Sequence, residues 1–171
     1  TRHSVVLENS SGEEAVRQTF YQPAESPVDL GPATSTRMQE YEKHAAVLAT
    51  QAVQAALDSA NVDPAEVTQL VTVSCSGFSA PGFDLQVLKH PGFSPDVSRT
   101  HIGFMGCHGA LNGLRVAKSF TDNDPEACVV VCAVELCSLH QQYGWCPDKI
   151  VANALFADGA AAVVGKQSQS S

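Results

Sequence analysis

The sequence predicts an α/β layered fold with a mainly parallel sheet. Strand-like and helix-like segments alternate four times along the chain, which is the pattern of parallel strands joined by helical connections. Residues 128–134 form a continuous apolar run, and such runs are typical of strands covered on both faces. Of the 171 residues, 44% are hydrophobic and 16% are charged, which excludes a disordered chain.

The first predicted element is a long helix that follows an irregular, turn-rich segment over residues 1–36. A capping box at 36–39 begins the predicted helix, which extends to about Ala60, with Asn61 as its C-cap. A short helix with an N-terminal cap and an early proline is predicted at 63–66. The apolar face of the long helix has a three-four spacing: Met38, Tyr41, Ala45, Leu48, Ala52 and Ala55.

Four strands and three further helices complete the prediction. The strands are placed at 70–75, 100–104, 128–134 and 160–164, and the helices at 83–88, 107–120 and 148–156. The apolar stripe of the second of these helices is Ala110, Leu111, Leu114, Ala117 and Phe120. Residues 37–165 therefore form one α/β unit, with a polar tail or cut linker at 166–171. This length suits one domain or half of a larger one.

Charge and hydropathy exclude two classes of partner. The chain has 10 Lys+Arg against 18 Asp+Glu and a net charge of -8, whereas a nucleic-acid binder needs a basic face. No apolar run reaches the roughly 18 residues of a membrane span. The N-terminus has no signal-peptide core, and most of the six cysteines lie in or beside apolar runs. These features predict a cytoplasmic protein with free thiols.

The strongest local signal for chemistry is Cys107, in the segment 103–109. There a strand ends, the chain turns through glycines and a cysteine opens a helix, whose N-terminus stabilises a thiolate. A thiolate in this place suits covalent catalysis, while the alternative is a core cysteine in a tight turn. His108 is a surface or capping residue rather than the base of a dyad, because adjacent helical residues do not face each other.

Other polar residues leave their roles open. Ser74 to Gly77 end a strand, where open α/β sheets place ligands, although the segment could also be a plain turn. Glu135 is either a structural hydrogen-bonded carboxylate or a catalytic one. Asp158 and Gly159 form a weak turn signal.

A zinc site is the rival interpretation of the C-terminal cysteines. The candidate ligands would be Cys128, Cys132, Cys137, His140 and Cys146. Cys128 and Cys132 lie on one predicted strand, roughly 13 Å apart at about 3.3 Å per residue, so one ion cannot bind both. The spacing therefore predicts no metal.

Four motifs together resemble the type III polyketide synthases, the chalcone and stilbene synthase group of the thiolase-like superfamily. They lie at 74–82, 105–114, 130–137 and 154–162, and the resemblance covers about residues 36–165. The Ser-Leu-His that follows Cys137 is closer to the microbial members. The resemblance implies a thiolase-like αβαβα layered fold with a mostly parallel sheet, of which this chain covers roughly the first half-repeat.

The resemblance also implies an acyltransferase. A starter acyl-CoA would load onto Cys107 as a thioester, and malonyl-CoA would be decarboxylated to a carbanion that attacks this thioester. No metal and no redox cofactor is needed, and acyl-CoA and malonyl-CoA are the substrates. The full-length protein would be a homodimer that binds neither nucleic acid nor membrane.

Further site residues follow from the resemblance alone. Phe156 matches the phenylalanine that gates the CoA tunnel. Cys75, Cys137 and His140 match cavity positions where plant chalcone synthases usually carry threonine, which argues against a chalcone product and leaves long-chain and aromatic starters open. Ser76 joins them in the predicted substrate-binding set. Ala80 matches a position that reaches toward the cavity of the partner subunit.

The family uses a Cys-His-Asn triad, and only its cysteine matches this chain. None of the six histidines lies in the family's histidine motif. We therefore expect these 171 residues to be inactive alone and prone to associate. Two alternatives stay open: a ketoacyl synthase III-like condensing enzyme, and a non-catalytic thiolase-like scaffold subunit.

Overall fold

The computed structural model describes residues 3–7 and 19–167, and it contains four α-helices and four strands within them. The helices are α1 (Thr34–Ala60), α2 (Phe83–Leu88), α3 (Gly109–Asn123) and α4 (Pro147–Leu155). The strands are β1 (Gln69–Ser74), β2 (Ser98–Gly103), β3 (Cys128–Leu136) and β4 (Asp158–Lys166). Short 3-10 turns occur at Pro64–Glu66, Gly106–His108 and Cys137–His140.

The ends of the chain are only partly described. Residues 3–7 and 19–33 form no helix or strand, as predicted, but residues 34–36 of the predicted irregular segment belong to α1 and residue 166 of the predicted tail belongs to β4. Positions 1–2, 8–18 and 168–171 lie outside the described residues. Among the helices that are described, none is long and apolar enough to cross a membrane.

The four strands form one sheet in the order β2-β1-β3-β4. β1 runs parallel to both β2 and β3, which confirms the mostly parallel sheet, but β4 runs antiparallel to β3 with Leu136 opposite Asp158. The connection between β3 and β4 includes α4. Because the two strands are antiparallel, it begins and ends at the same end of the sheet and does not cross over. It therefore projects from the carboxyl end of β3, where a site can form.

Helices cover both faces of the sheet, as the continuous apolar run in β3 predicts. On one face the alternate residues Cys128, Val130, Cys132, Val134 and Leu136 pack in the core that contains α1. On the other face Val129 and Val131 pack with Val71, Val73 and Ala117 of β1 and α3. The period of two along each strand separates these two cores.

The bounds and the buried face of α1 differ from the prediction. The helix begins at Thr34 and its N-cap is Ala33, so the predicted capping box at 36–39 is wrong because those residues already lie within the first turns. Asn61 is confirmed as the C-cap: it has a φ of 52° and its N–H donates to the Asp58 carbonyl. The buried row has a spacing of four residues: Arg37, Tyr41, Ala45, Ala49, Val53 and Leu57.

The predicted apolar stripe of α3 is wrong at its leucines. Leu111 and Leu114 are 57% and 46% exposed, and the buried residues are Gly109, Gly113 and Ala117. The helix lies so close to the sheet that a Cβ atom at Gly109 would come within 2.8 Å of Val73 Cγ1. Glycine therefore makes the contact that a hydropathy pattern assigns to leucine, and α3 seats directly on the sheet.

Two buried titratable groups predict that stability falls at alkaline pH. Burial raises the pKa of Cys132 from 9.0 to about 12 and that of Tyr41 from 10.0 to about 12. The unfolded chain therefore releases these protons first, so the contribution of Cys132 is complete below about pH 9 and is lost as pH rises to about 12. The free energy of unfolding, measured in urea, should fall across this pH interval by up to about 1.4 kcal/mol per pH unit for each group.

The Cys132→Val variant provides the control for this alkaline loss, because valine has a similar volume and no proton to release. Its free energy of unfolding should depend less steeply on pH across the same interval than that of the unmodified chain. Equal slopes for the two proteins would contradict the assignment of the alkaline loss to Cys132.

Candidate active site

Cys107 lies on an exposed turn between β2 and α3. The turn passes through the left-handed region at Phe104, with a φ of 58°, and at Gly106, with a φ of 71°. The second position favours glycine, since other residues rarely adopt this conformation. Cys107 itself lies in the 3-10 turn Gly106–His108 rather than in α3, which begins two residues later than predicted, and its side chain is exposed.

The thiol of Cys75 anchors this turn to the end of β1. The Gly106 N–H donates to Cys75 Sγ over 3.0 Å, and the Cys75 thiol donates to the Gly106 carbonyl oxygen over 3.4 Å. Because Cys75 directly follows β1, the sheet itself determines where the turn that carries Cys107 lies.

Glu135 connects the ends of β1 and β3. Its carboxylate accepts hydrogen bonds from the Cys75 N–H and the Ser76 N–H, each over 2.9 Å. Glu135 was interpreted above as either a structural or a catalytic carboxylate. These hydrogen bonds to backbone amides support the structural interpretation. The charge strengthens these hydrogen bonds relative to neutral ones.

Ser76 and His140 extend this connection. The buried Ser76 accepts the Leu136 N–H at its hydroxyl over 2.7 Å. The Nε2 of His140 donates to the Ser76 carbonyl oxygen. The loops after β1 and β3 are thus joined through side chains, and the two predicted residues contact each other.

These loops line one open cavity of about 540 Å³, a size that suits a small acyl ligand. All six predicted site residues line it: Cys75, Ser76, Cys107, Cys137, His140 and Phe156. The remaining wall comes mainly from β1, β3, the segment after β3 and α4. The structure therefore brings the whole predicted set together, although its members are separated by up to 81 positions in sequence, from Cys75 to Phe156 (156 − 75).

The cysteines of the cavity differ in exposure and electrostatics. Burial, together with the neighbouring carboxylates Glu135 and Asp158, raises the pKa of the Cys137 thiol. A protonated thiol is a poor nucleophile and behaves as a small apolar wall residue. Cys75 is held by the Gly106 backbone, whereas Cys107 is exposed at the cavity surface. Cys107 is thus the best placed of the three to react.

Asp158 is the first residue of β4 rather than part of a turn, so the weak turn prediction for Asp158 and Gly159 is wrong. Its buried carboxylate accepts the Val5 N–H over 2.6 Å, the Ser138 N–H over 2.7 Å and the Ser138 hydroxyl over 2.6 Å. It therefore joins the N-terminal segment, β4 and the loop after β3.

The remaining candidates lie elsewhere. His108 is exposed and does not line the cavity, and Ala80 is an exposed residue before a cis proline. Cys128 and Cys132 are buried in the core on the α1 side. Across residues 3–7 and 19–167, no group of three or more His, Cys, Asp and Glu side chains is placed to hold a metal ion.

Sequence reasoning missed Tyr21 and Arg37, two buried residues behind the wall of the cavity. The signal for Arg37 was present, since it lies four residues before Tyr41 in the apolar row of α1. A charged residue in such a row needs polar partners inside the protein.

Comparison with known proteins gives a consistent result. The family model for chalcone and stilbene synthases, N-terminal domain, matches residues 24–168. The alpha-pyrone synthesis polyketide synthase-like protein of Mycobacterium tuberculosis is 37% identical over 139 residues, which is 81% of this chain and 35% of that protein. The 1,3,6,8-tetrahydroxynaphthalene synthase of Streptomyces peucetius is 38% identical over 119 residues, 70% of this chain and 32% of that enzyme. The matched part spans about a third of these relatives.

Solved structures agree with the sequence relatives. The crystal structure of PKS-I from the brown alga Ectocarpus siliculosus matches with a TM-score of 0.75 at 31% identity, over 88% of this chain and 41% of that one. The 1,3,6,8-tetrahydroxynaphthalene synthase of Streptomyces coelicolor, a bacterial type III polyketide synthase, matches with a TM-score of 0.74 at 29% identity, over 79% and 39%. The predicted thiolase-like fold is confirmed by these neighbours.

Proposed function

This chain belongs to the chalcone and stilbene synthase family, and from that premise we propose that it carries the nucleophile of a decarboxylative acyltransferase. The observation that carries the proposal is the position of Cys107: an exposed thiol at one cavity with five other side chains of the predicted site. The activity would be of the type III polyketide synthase class.

The first step loads the starter. The Cys107 thiolate attacks the carbonyl carbon of an acyl-CoA thioester, a new C–S bond forms, and the CoA thiolate leaves. The turn at Gly106 supports this step because it exposes the sulfur ahead of α3, whose N-terminal end favours negative charge.

The second step extends the chain. Malonyl-CoA loses CO₂, the electron pair of the broken C–C bond forms a carbanion, and this carbanion attacks the Cys107 thioester so that the cysteine thiolate leaves. Stabilising the carbanion needs hydrogen-bond donors at the thioester oxygen. In the proposed enzyme these donors are a histidine and an asparagine from outside these 171 residues.

The wall of the cavity supports a starter other than that of a chalcone synthase. Cys75 and Cys137 replace hydroxyl side chains by thiols, which are weaker hydrogen-bond donors, and His140 uses its Nε2 on the Ser76 carbonyl. Phe156 is half exposed and lies directly after α4, which supports the role of a gate at the entrance that the family resemblance implies. Acyl-CoA and malonyl-CoA are the proposed substrates, in a homodimer of the full-length protein.

The polyketide branch is favoured over a ketoacyl synthase III-like enzyme because the matching family model is that of the chalcone and stilbene synthases. The remaining alternative is a non-catalytic scaffold, which would form no product in a condensation assay.

The assay incubates the full-length protein with malonyl-CoA and, in turn, short-chain, long-chain and aromatic acyl-CoA starters, with no metal or nicotinamide added. We expect mass spectrometry to detect starters extended by ketide units, together with released CO₂. The chain of 171 residues, assayed in parallel, should give none. Absence of any product from the full-length protein with every starter would contradict the proposed function and favour the scaffold.

A further inference from the structure

We infer that Tyr21 and Arg37 are positioning residues that hold the wall of the cavity from behind and thereby influence which acyl group is accepted. The wall is the segment 137–142, which follows β3 and supplies five lining residues: Cys137, Ser138, His140, Gln141 and Gln142. The selectivity part of this inference rests on the proposed function. The positioning part stands on geometry alone.

The hydroxyl of Tyr21 contacts this wall at two positions three residues apart, Ser138 and Gln141. It donates to the Ser138 carbonyl oxygen over 2.7 Å and accepts the Gln141 N–H over 3.1 Å. It also accepts a hydrogen bond from Arg37 Nη1 over 3.0 Å. One side-chain oxygen therefore fixes the distance across the turn that presents His140.

Arg37 completes the contact from α1. Its Nη1 donates to the carbonyl oxygens of Leu139 and Gln141, the latter over 3.2 Å. Its Nε donates to the Pro32 carbonyl oxygen over 2.8 Å. The guanidinium is buried, and its hydrogen-bond partners are carbonyl groups and the Tyr21 hydroxyl. A buried charge is costly unless its hydrogen bonds are made. The carbonyl groups must therefore stay at positions where the guanidinium N–H groups of Arg37 can donate to them.

Other side chains hold the wall as well. Asp158 accepts the N–H and hydroxyl of Ser138, and His140 donates to Ser76. Cys137 and His140 thus line the cavity on a segment held by both sets of contacts. A change at Tyr21 or Arg37 would shift the positions that the acyl group contacts while leaving Cys107, which lies on a different turn, in place.

Tyr21→Phe is a clean variant for this test. The Tyr21 ring packs against Phe20 at 4.8 Å and Tyr143 at 6.1 Å between ring centroids, and lies 5.6 Å from the Arg37 guanidinium, so phenylalanine preserves the packing and removes only the hydroxyl. The Tyr21 hydroxyl is protonated and able to donate at neutral pH, because its ordinary pKa is about 10 and burial raises that pKa further. Tyr41→Phe is the matched control, because that buried hydroxyl lies beside Ser74 of β1 and makes no hydrogen bond to the wall segment 137–142.

The experiment measures amide hydrogen exchange in the full-length protein and, separately, the ratio of kcat/KM for two acyl-CoA starters of different chain length. For Tyr21→Phe and Arg37→Met we expect exchange of the Gln141 amide to rise about three- to tenfold, with β3 unchanged. The starter ratio should shift by about threefold or more, while iodoacetamide labels Cys107 at its original rate. Tyr41→Phe should leave exchange of the wall and the starter ratio within about twofold of wild type.

The inference would be overturned by unchanged exchange at 138–141 in both variants, or by an equal loss of activity with every starter. Failure of the proposed function is a separate result: the wild-type protein would then form no product, and the exchange data would still show whether Tyr21 and Arg37 hold the wall.

Discussion

Replacing Cys107 by alanine in the full-length protein is expected to abolish acyl loading and to lower product formation by at least about a thousandfold. The reason is that the proposed reaction passes through a thioester on this sulfur, and removal of a nucleophile costs at least that factor in enzymes that form covalent intermediates. The exposed side chain has few packing contacts to lose, so the folded state should be retained. Steady-state kinetics and intact-mass measurement after incubation with acyl-CoA check the two effects.

Cys146→Ala is the matched control for this variant. Cys146 is also an exposed cysteine, but it lies before α4 and does not line the cavity. Its replacement should leave loading and turnover within about twofold of wild type, as for most surface substitutions. Cys107→Ala protein that still loads an acyl group at the original rate would show that another group is the nucleophile.

The Gly77→Ala variant should be the most destabilising small substitution in the site region, at about 3 kcal/mol. A Cβ atom at Gly77 would lie 2.2 Å from Cδ2 and 2.3 Å from Cγ of the Tyr41 ring, far inside van der Waals contact. The ring is 1% exposed and packs edge-on against Phe83 at 6.5 Å, so it has no room to move. Overpacking of this severity costs about 1–3 kcal/mol or more.

Thermal unfolding measures this effect, with an expected fall in Tm of about 6–12 °C for a chain of this size. Gly159→Ala is the control, since a Cβ atom there meets nothing within 4 Å. The substitution should also displace Cys75 and Ser76, the two site residues that precede Gly77 in the sequence. A Tm for Gly77→Ala no lower than that of Gly159→Ala would contradict the packing described for Tyr41.

The sequence predicted the layered architecture because strands and helices leave periodic signals. The apolar run at 128–134 and the helix after Asp63 depend on local sequence, and both form as expected. The antiparallel course of β4 was beyond this reasoning, because a helical segment between two strands has the same pattern whether or not it crosses the sheet. The exposure of Leu111 and Leu114 was not predicted, because a hydropathy pattern does not register how closely Gly109 and Gly113 let the helix approach the sheet.

The candidate site was predicted unevenly. Physical reasoning alone made Cys107 a candidate nucleophile, since a cysteine between glycines before a helix has recognisable chemistry, and it left a core cysteine in a tight turn as the alternative. The exposed side chain excludes that core position. The positions of Cys75, Cys137, His140 and Phe156 around one cavity followed from the resemblance, because residues so distant in sequence carry no local sign that they meet. Tyr21 and Arg37 escaped both approaches, since they act on the backbone of 138–141 rather than on the cavity itself.

The measurement that tests the central claim most directly is peptide mapping of the acyl-enzyme. The full-length protein is incubated with an acyl-CoA in the absence of malonyl-CoA, quenched with acid, digested and analysed by mass spectrometry. We predict that the acyl mass appears on the peptide that contains Cys107 and on none of the peptides that contain Cys75, Cys137 or Cys146. An acyl group on one of those three cysteines instead, or no adduct from any starter, would contradict the assignment of Cys107 as the nucleophile.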